Sequence, residues 1–171
     1  EDRLKGAGFT VDTVTSAEGR PCLIARLGCG RRPALCFAGH IDTVPLGETP
    51  WQFNPFEGAI RNGRIYGRGA SDMKSGLAAM VTAACRLASR LAGNEDLVLL
   101  VVAGEETGCE GSRFLAQQPE RLGRVGGLII AEPSNNYPLV GHKGALWFAA
   151  RFKGRTAHGA MPEKGDNAVV K

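Results

Sequence analysis

Three glycines punctuate the stretch Gly67-Arg68-Gly69-Ala70-Ser71-Asp72-Met73-Lys74-Ser75-Gly76, and a helical apolar pattern begins directly after it. Glycine visits backbone conformations closed to other residues, so the spacing predicts a tight turn that delivers Asp72 to the start of a helix. The open amides of a helix start favour a negative charge nearby. A carboxylate fixed in such a turn can cap the helix, bind a metal, or do both.

The flanking pattern sets the fold class. Leu77, Met80, Val81, Ala84, Leu87, Ala88 and Leu91 recur at spacings of three and four, which predicts one buried helix face, closed by Gly93 and with Met80 in the core. Residues 96–103 carry a continuous apolar run and are expected to be a fully buried strand. Residues 34–38 read as a central strand and 127–131 as the next buried one, with a short helix over 112–118 stopped near Pro119. Strands alternating with helices argue for a sheet with helices packed on it, and right-handed crossovers gather the polar ends of parallel strands.

The rest of the chain adds local detail. Residues 1–7 read as a helix end closed by Gly6 or Gly8, 9–14 as an edge strand, 18–21 as a turn, 22–27 as a strand and 28–33 as a hairpin turn. Residues 44–62 are loop-rich, with Trp51, Phe53 and Phe56 as an apolar anchor, and Asn62-Gly63 predicts a tight turn before a short strand over 64–66. Residues 140–153 read as a long strand or a hairpin, 154–165 as a polar loop and 167–171 as the start of a helix. That change of character places a domain boundary within 140–155. The chain opens in what reads as a helix tail and stops as another helix begins, the expectation for truncation at both ends.

Composition narrows the function classes. With 171 residues, 43% of them hydrophobic, the chain can bury one sizeable core and the start of a second. The net charge of +4 comes without a dense basic run interleaved with aromatics, which argues against a nucleic-acid partner. Cys22, Cys29, Cys36, Cys85 and Cys109 form no CxxC pair, and their odd number favours reduced thiols over a disulfide framework. No signal peptide is visible and the longest apolar run is too short to span a membrane, so a soluble cytoplasmic protein is expected. Neither a phosphate-binding loop nor a nucleophile elbow is present.

His40, Asp42, Asp72, Glu105, Glu106 and Glu132 all stand at the ends of apolar runs or in the glycine-rich turn. Carboxylates packed together without a partner repel and take up protons, and one or two divalent cations resolve that conflict. Imidazole with carboxylates suits zinc, with cobalt or manganese as alternatives. His40 and Asp42 share a side if extended, which makes Asp42 an acceptor for the second ring nitrogen of His40. Glu105 and Glu106 can diverge at a strand end, one toward a metal and one toward a water, as a base for hydrolysis requires. His158, in Gly154-Arg155-Thr156-Ala157-His158-Gly159, reads as a further ligand, a donor to a reacting carbonyl, or an exposed loop histidine. His142 reads as structural, and Cys109, with no histidine partner, as a buried or bystander thiol.

Gly39-His40-Ile41-Asp42-Thr43-Val44-Pro45, Gly67 to Gly76, Gly104-Glu105-Glu106-Thr107-Gly108 and Ala131-Glu132-Pro133-Ser134 resemble, in order and spacing, the metal motifs of the M20 metallopeptidase family. Within it they are most similar to the acetylornithine deacetylase and succinyl-diaminopimelate desuccinylase branch. The resemblance implies an α/β fold: a zinc-peptidase-like mixed sheet with helices on both faces, plus the beginning of a smaller α+β lid and dimerisation domain. It divides the chain into a partial metal-binding catalytic domain, 1–143, and the start of the lid, 144–171. It implies that His40 and Glu132 ligate a first zinc, Glu106 a second, and that Asp72 bridges the two, with a cis bond from Asp72 to Met73. Asp42 holds the His40 ring, Glu105 is the general base, and His158 reaches across a homodimer to steady the oxyanion. The family's last ligand, a histidine of the second metal, has no counterpart in these residues. The implied reaction is hydrolysis of the amide bond of an N-acyl amino acid. A dipeptidase, a glutamate-carboxypeptidase-like activity or a catalytically incomplete metal-binding fragment are the alternatives. The implied partner is a small N-acyl amino acid or dipeptide, with no nucleic acid and no membrane.

Overall fold

The computed structural model describes residues 1–16, 19–91 and 96–170. The expected turn at Glu18, the helix closure at Gly93 and the last residue, Lys171, lie outside the described residues. Two compact units emerge, Glu1–Asn136 and Tyr137–Lys171. No helix among the described residues is long and apolar enough to cross a membrane.

The first unit runs α1 (Asp2–Gly6), β1 (Thr10–Thr15), β2 (Pro21–Leu27), β3 (Ala34–His40), the hairpin β4 (Ala59–Arg61) and β5 (Arg64–Tyr66), an irregular turn Ala70–Lys74, α2 (Ser75–Ala88), β6 (Leu97–Val102), α3 (Glu110–Ala116), α4 (Pro119–Leu122) and β7 (Val125–Ile130). A five-stranded sheet has the order β1-β2-β6-β3-β7. β1 and β2 are antiparallel, as are β2 and β6, whereas β3 is parallel to both β6 and β7. The sheet is mixed, as expected. Its side chains alternate: Ala25, Phe37, Leu97 and Leu99 pack with α1 and α2 through Leu4, Leu77 and Met80, while Ile24, Cys36 and Val98 pack with Leu115 of α3 and Leu122 of α4. Helices therefore cover both faces. Burial pushes the Cys36 thiol up to about 11, so it stays a protonated core residue.

Four expectations in the first unit need correction. Residues 28–33 are not a hairpin turn, because β6 lies between β2 and β3. The connection passes over the start of β6, where the Asp96 carboxylate accepts from Gly30 N at 2.7 Å and Arg32 N at 2.9 Å. A strand apolar on both faces gains more at the sheet centre than a local turn offers. β7 is an edge strand exposed along its whole length, not a buried one. A continuous apolar run shows that both faces are apolar, not that anything covers them. In the loop-rich stretch the aromatic contact is Phe53 on Tyr66, ring centroids 4.8 Å apart, and Phe56 is exposed. α2 ends at Ala88, although Leu91 still packs on the core.

The second unit departs most. Residues 140–153 form neither a strand nor a hairpin, and Leu146, Trp147 and Phe148 are exposed. β propensity needs a ladder partner to act through, and this unit's described residues offer one isolated bridge, Arg155 to Asp166. Residues 162–164 form a short 3-10 turn and 168–170 a turn in place of the expected helix start. His142 is exposed, its Nδ1 3.0 Å from Lys143 O.

Two contacts set testable limits. Gly76, in the first turn of α2, lies so close to the chain after β7 that a Cβ there would run into the Ala131 carbonyl. Gly76→Ala is expected to cost about 1–3 kcal/mol, read from urea unfolding, because neither backbone can yield freely. Asp96 is held below its ordinary carboxylate value by the amides of Arg32 and Gly30. A depressed folded-state value means stabilisation that is present above the unfolded value and lost as pH falls through the folded one. Asp96→Asn should therefore lower Tm at neutral pH, and the difference should vanish in acid below that value.

Candidate metal centre

The register of β3 builds the site. His40 pairs with Val102 of β6, and Ile41 N continues the ladder to Val102 O at 3.0 Å. The polar tip His40–Asp42 therefore runs beside Gly104–Glu106. On the other side Ala38 pairs with Ile130 of β7, which brings Glu132 alongside His40. The glycine-rich turn supplies Asp72 from outside the sheet, and the Asp72–Met73 peptide is cis. Met73 is wholly buried and its Sδ accepts from His40 N at 3.2 Å. Gly39 makes room for it: a Cβ there would sit 2.7 Å from Met73 Cε.

The His40 ring is 2% exposed, so its partners decide its state. Nδ1 lies 3.0 Å from the Asp42 main-chain O. A carbonyl only accepts, so Nδ1 carries the proton. Nε2 faces Asp72 Oδ1 at 3.1 Å, Glu132 Oε1 at 3.6 Å and Glu105 Oε2 at 3.9 Å. In the neutral ring a lone pair would point at carboxylate oxygens. A second proton or a metal ion on Nε2 removes that conflict. Burial alone would lower the imidazole, but Glu132, Asp42 and Glu105 outweigh it and hold it above its ordinary value. The Glu132 carboxyl is raised by burial and by Asp72, Glu105 and Glu106, against the opposing pull of His40. Each is the response to the negative charge gathered in the pocket.

The donor set fits a metal. Ligand atoms of His40, Asp72 and Glu106 all lie within 4.8 Å of one another. Two donors about 2 Å from one tetrahedral ion stand about 3.3 Å apart, and the contacts of Nε2 with Asp72 and Glu132, 3.1 and 3.6 Å, bracket that edge. Asp42 sits behind this group. Its carboxylate is 3.5 Å from His40 Nδ1 and accepts from Glu105 N at 3.3 Å and Glu106 N at 3.2 Å. Burial works to raise this carboxyl, but the amides of Glu106, Glu105, Asp42 and Gly104 hold it below its usual value.

The structure thus brings His40, Asp42, Asp72, Glu105, Glu106 and Glu132 together. His158 lies in the second unit, exposed, with its Nδ1 accepting from Ala160 N at 3.2 Å. In the neutral ring that leaves the proton on Nε2, a hydrogen-bond donor. Cys109 is an exposed thiol rather than a buried one, in a left-handed conformation (φ 59°), its Sγ 4.0 Å from Glu105 Oε1. Met73 is a contributor that the sequence pattern does not reveal, because nothing in the spacing announces a sulfur acceptor.

Comparison with known proteins agrees with this geometry. The family model described as peptidase family M20/M25/M40 matches residues 36–156. The chain is 41% identical over 154 residues to a probable succinyl-diaminopimelate desuccinylase of Staphylococcus epidermidis, covering 89% of this chain and 38% of that protein. It is 35% identical to the succinyl-diaminopimelate desuccinylase of Methylobacterium radiotolerans, covering 98% of this chain and 46% of that one. The chain thus spans less than half the length of these relatives. Among solved structures it resembles an M20 family metallo-carboxypeptidase from Sulfolobus solfataricus, with TM-score 0.64, 25% identity, 76% of this chain and 30% of that one covered. Human carnosine dipeptidase 1 shares the fold at TM-score 0.64 and 23% identity, covering 77% and 31%. With its motifs in order around one negative pocket and the family model spanning both sides of it, the chain belongs to peptidase family M20/M25/M40.

Proposed function

We propose that the protein hydrolyses the amide bond of an N-acyl amino acid, with zinc as its cofactor and an N-succinyl amino acid as the first substrate class to test. The observation that carries this reading is the buried His40 Nε2 aimed at the oxygens of Asp72, Glu132 and Glu105. The names of the curated relatives, succinyl-diaminopimelate desuccinylases, support the acyl group.

In this reading His40, Asp72 and Glu132 hold one ion, and Asp72 with Glu106 contributes to a second. When bound, zinc polarises the acyl carbonyl and acidifies water. Glu105 is suited to act as base because its side chain is 40% exposed while its backbone is pinned. It takes a proton from the attacking water and returns it to the leaving amine. His158, with a donor on Nε2, steadies the oxyanion as negative charge develops there. That role implies a homodimer, in which the histidine serves the partner's site.

Two substitutions separate holding from chemistry. Asp72→Asn removes the negative charge of the carboxylate nearest His40 Nε2 and should weaken zinc binding by more than the about 10–100-fold typical of losing an outer partner, read by competition with a chelating dye. Glu105→Gln should keep the zinc content and slow hydrolysis of N-succinyl amino acids by about 10²–10⁴-fold in the whole protein. An unchanged rate would remove Glu105 from its role. A preference for dipeptides over N-succinyl and N-acetyl amino acids in the same assay would overturn the substrate class.

A further inference from the structure

We infer that Arg68 is a positioning residue for Asp72: with Trp51 and the Leu46 carbonyl it staples the glycine-rich turn to the loop over 41–58, and so fixes where Asp72 meets His40. That loop contains bends and turns but no strand or helix, so no ladder holds it. Arg68 reaches it in three ways. Its N–H donates to Pro55 O at 2.8 Å, its guanidinium carbon stands 4.9 Å from the centre of the Trp51 ring, and its Nη2 lies 3.5 Å from Leu46 O. Trp51 Nε1 donates to the same Leu46 oxygen at 3.1 Å. One carbonyl thus gathers both the ring and the cation stacked on it. Arg68 Nε is buried without an acceptor among the described residues, so packing on the ring does much of the holding. A planar guanidinium suits an indole face in a way that an ammonium does not.

The turn has little slack. A Cβ on Gly67 would come within 3.2 Å of Pro55 O, and one on Gly69 (φ +77°) within 2.5 Å of Thr43 Cγ2. The turn is therefore wedged between the two ends of the loop. Ala70 N donates to Gly67 O at 3.1 Å and Lys74 N to Gly69 O at 2.9 Å, closing the backbone on either side of Asp72. Asp72 Oδ1 lies 3.1 Å from His40 Nε2, yet its side chain is 54% exposed. A half-exposed carboxylate owes its place to its backbone. That backbone is anchored on one side by the buried Met73 and on the other by Arg68. Arg68 acts on the site only through the turn. That Asp72 holds a metal rests on the function proposed above; the staple does not.

The first comparison is amide hydrogen exchange by NMR on the metal-free protein, wild type against Arg68→Ala and Trp51→Ala. In both variants the Ala70 and Lys74 amides should exchange at least about tenfold faster, as for a turn that opens locally, while the amides of β6 keep their rates. Zinc affinity, read by competition with a chelating dye, should fall about 10–100-fold in each variant, as on losing a group that orients a ligand. The double variant should lie within about twofold of the weaker single one, because the two side chains work as a unit. Arg68→Lys keeps the charge without the planar stack and should behave as Arg68→Ala. Turn amides that keep their protection, a rise shared equally by the turn and β6, or wild-type zinc affinity in the folded variants would each overturn the inference. If Arg68→Ala does not fold, Arg68→Lys and Trp51→Ala decide by the same readings. A wild type that binds no zinc overturns the proposed function instead, and the exchange comparison still decides the staple.

Discussion

The site depends on the parallel pairing of β3 with β6. A parallel ladder sets strand ends side by side, so whatever follows each strand meets at one rim. His40 opposite Val102 fixes the offset. Had β6 slipped by one residue, its apolar run would still be buried, since it is apolar on both faces. The side chains beyond it would have changed faces, and Glu105 would point away from His40. The close packing of Leu97 and Leu99 on one face and Val98 on the other removes that freedom. A core decision, made by aliphatic residues, thereby places the acids.

Bringing the acids together has an electrostatic cost that shows in two opposite shifts. His40 and Glu132 both bind protons more readily than usual, one despite burial and the other partly because of it. Asp42 moves the other way, since its neighbours are amides rather than carboxylates. The pocket thus holds two kinds of acid. Asp42 is saturated by the fold and stays ionised without help. Asp72, Glu105 and Glu132 are 54%, 40% and 43% exposed at their side chains, with oxygens turned toward His40 Nε2 rather than taken up by backbone amides. The distinction separates a structural anion from groups left open for chemistry.

Much of this was legible in the sequence. Glycines around Asp72, apolar runs ending in acids and a three-four helical period named a sheet with helices packed on it and the six residues that meet, and the family resemblance implied that the sheet is mixed. What was not legible has a common physical cause. Whether 28–33 closes a hairpin depends on whether a third strand enters between β2 and β3, and that is a property of residues 97–102. Whether residues 127–131 are buried depends on what lies beyond β7, not on Leu128 to Ile130 themselves. Trp147 and Phe148 carry β propensity, but propensity has no effect without a pairing edge. Local pattern specifies an element's period and ends; its neighbours are specified elsewhere in the chain.

The same limit explains why spacing pairs Asp42 with the histidine two residues away, 3.5 Å from its ring nitrogen, but not with the amides of Glu105 and Glu106. Sequence reasoning pairs side chains that are close along the chain, and it pairs chemistry with chemistry: acid with imidazole, base with water. The backbone has no letter in the sequence, yet every residue carries a donor and an acceptor that must be placed. At the end of β6 two such donors have left the ladder, and Asp42 is the anion within reach. His40 Nδ1, for its part, lies 3.0 Å from the Asp42 carbonyl and 3.5 Å from its carboxylate. One acidic residue can therefore face both a neighbouring ring and the backbone of the opposite loop, and only the first of these is legible from spacing.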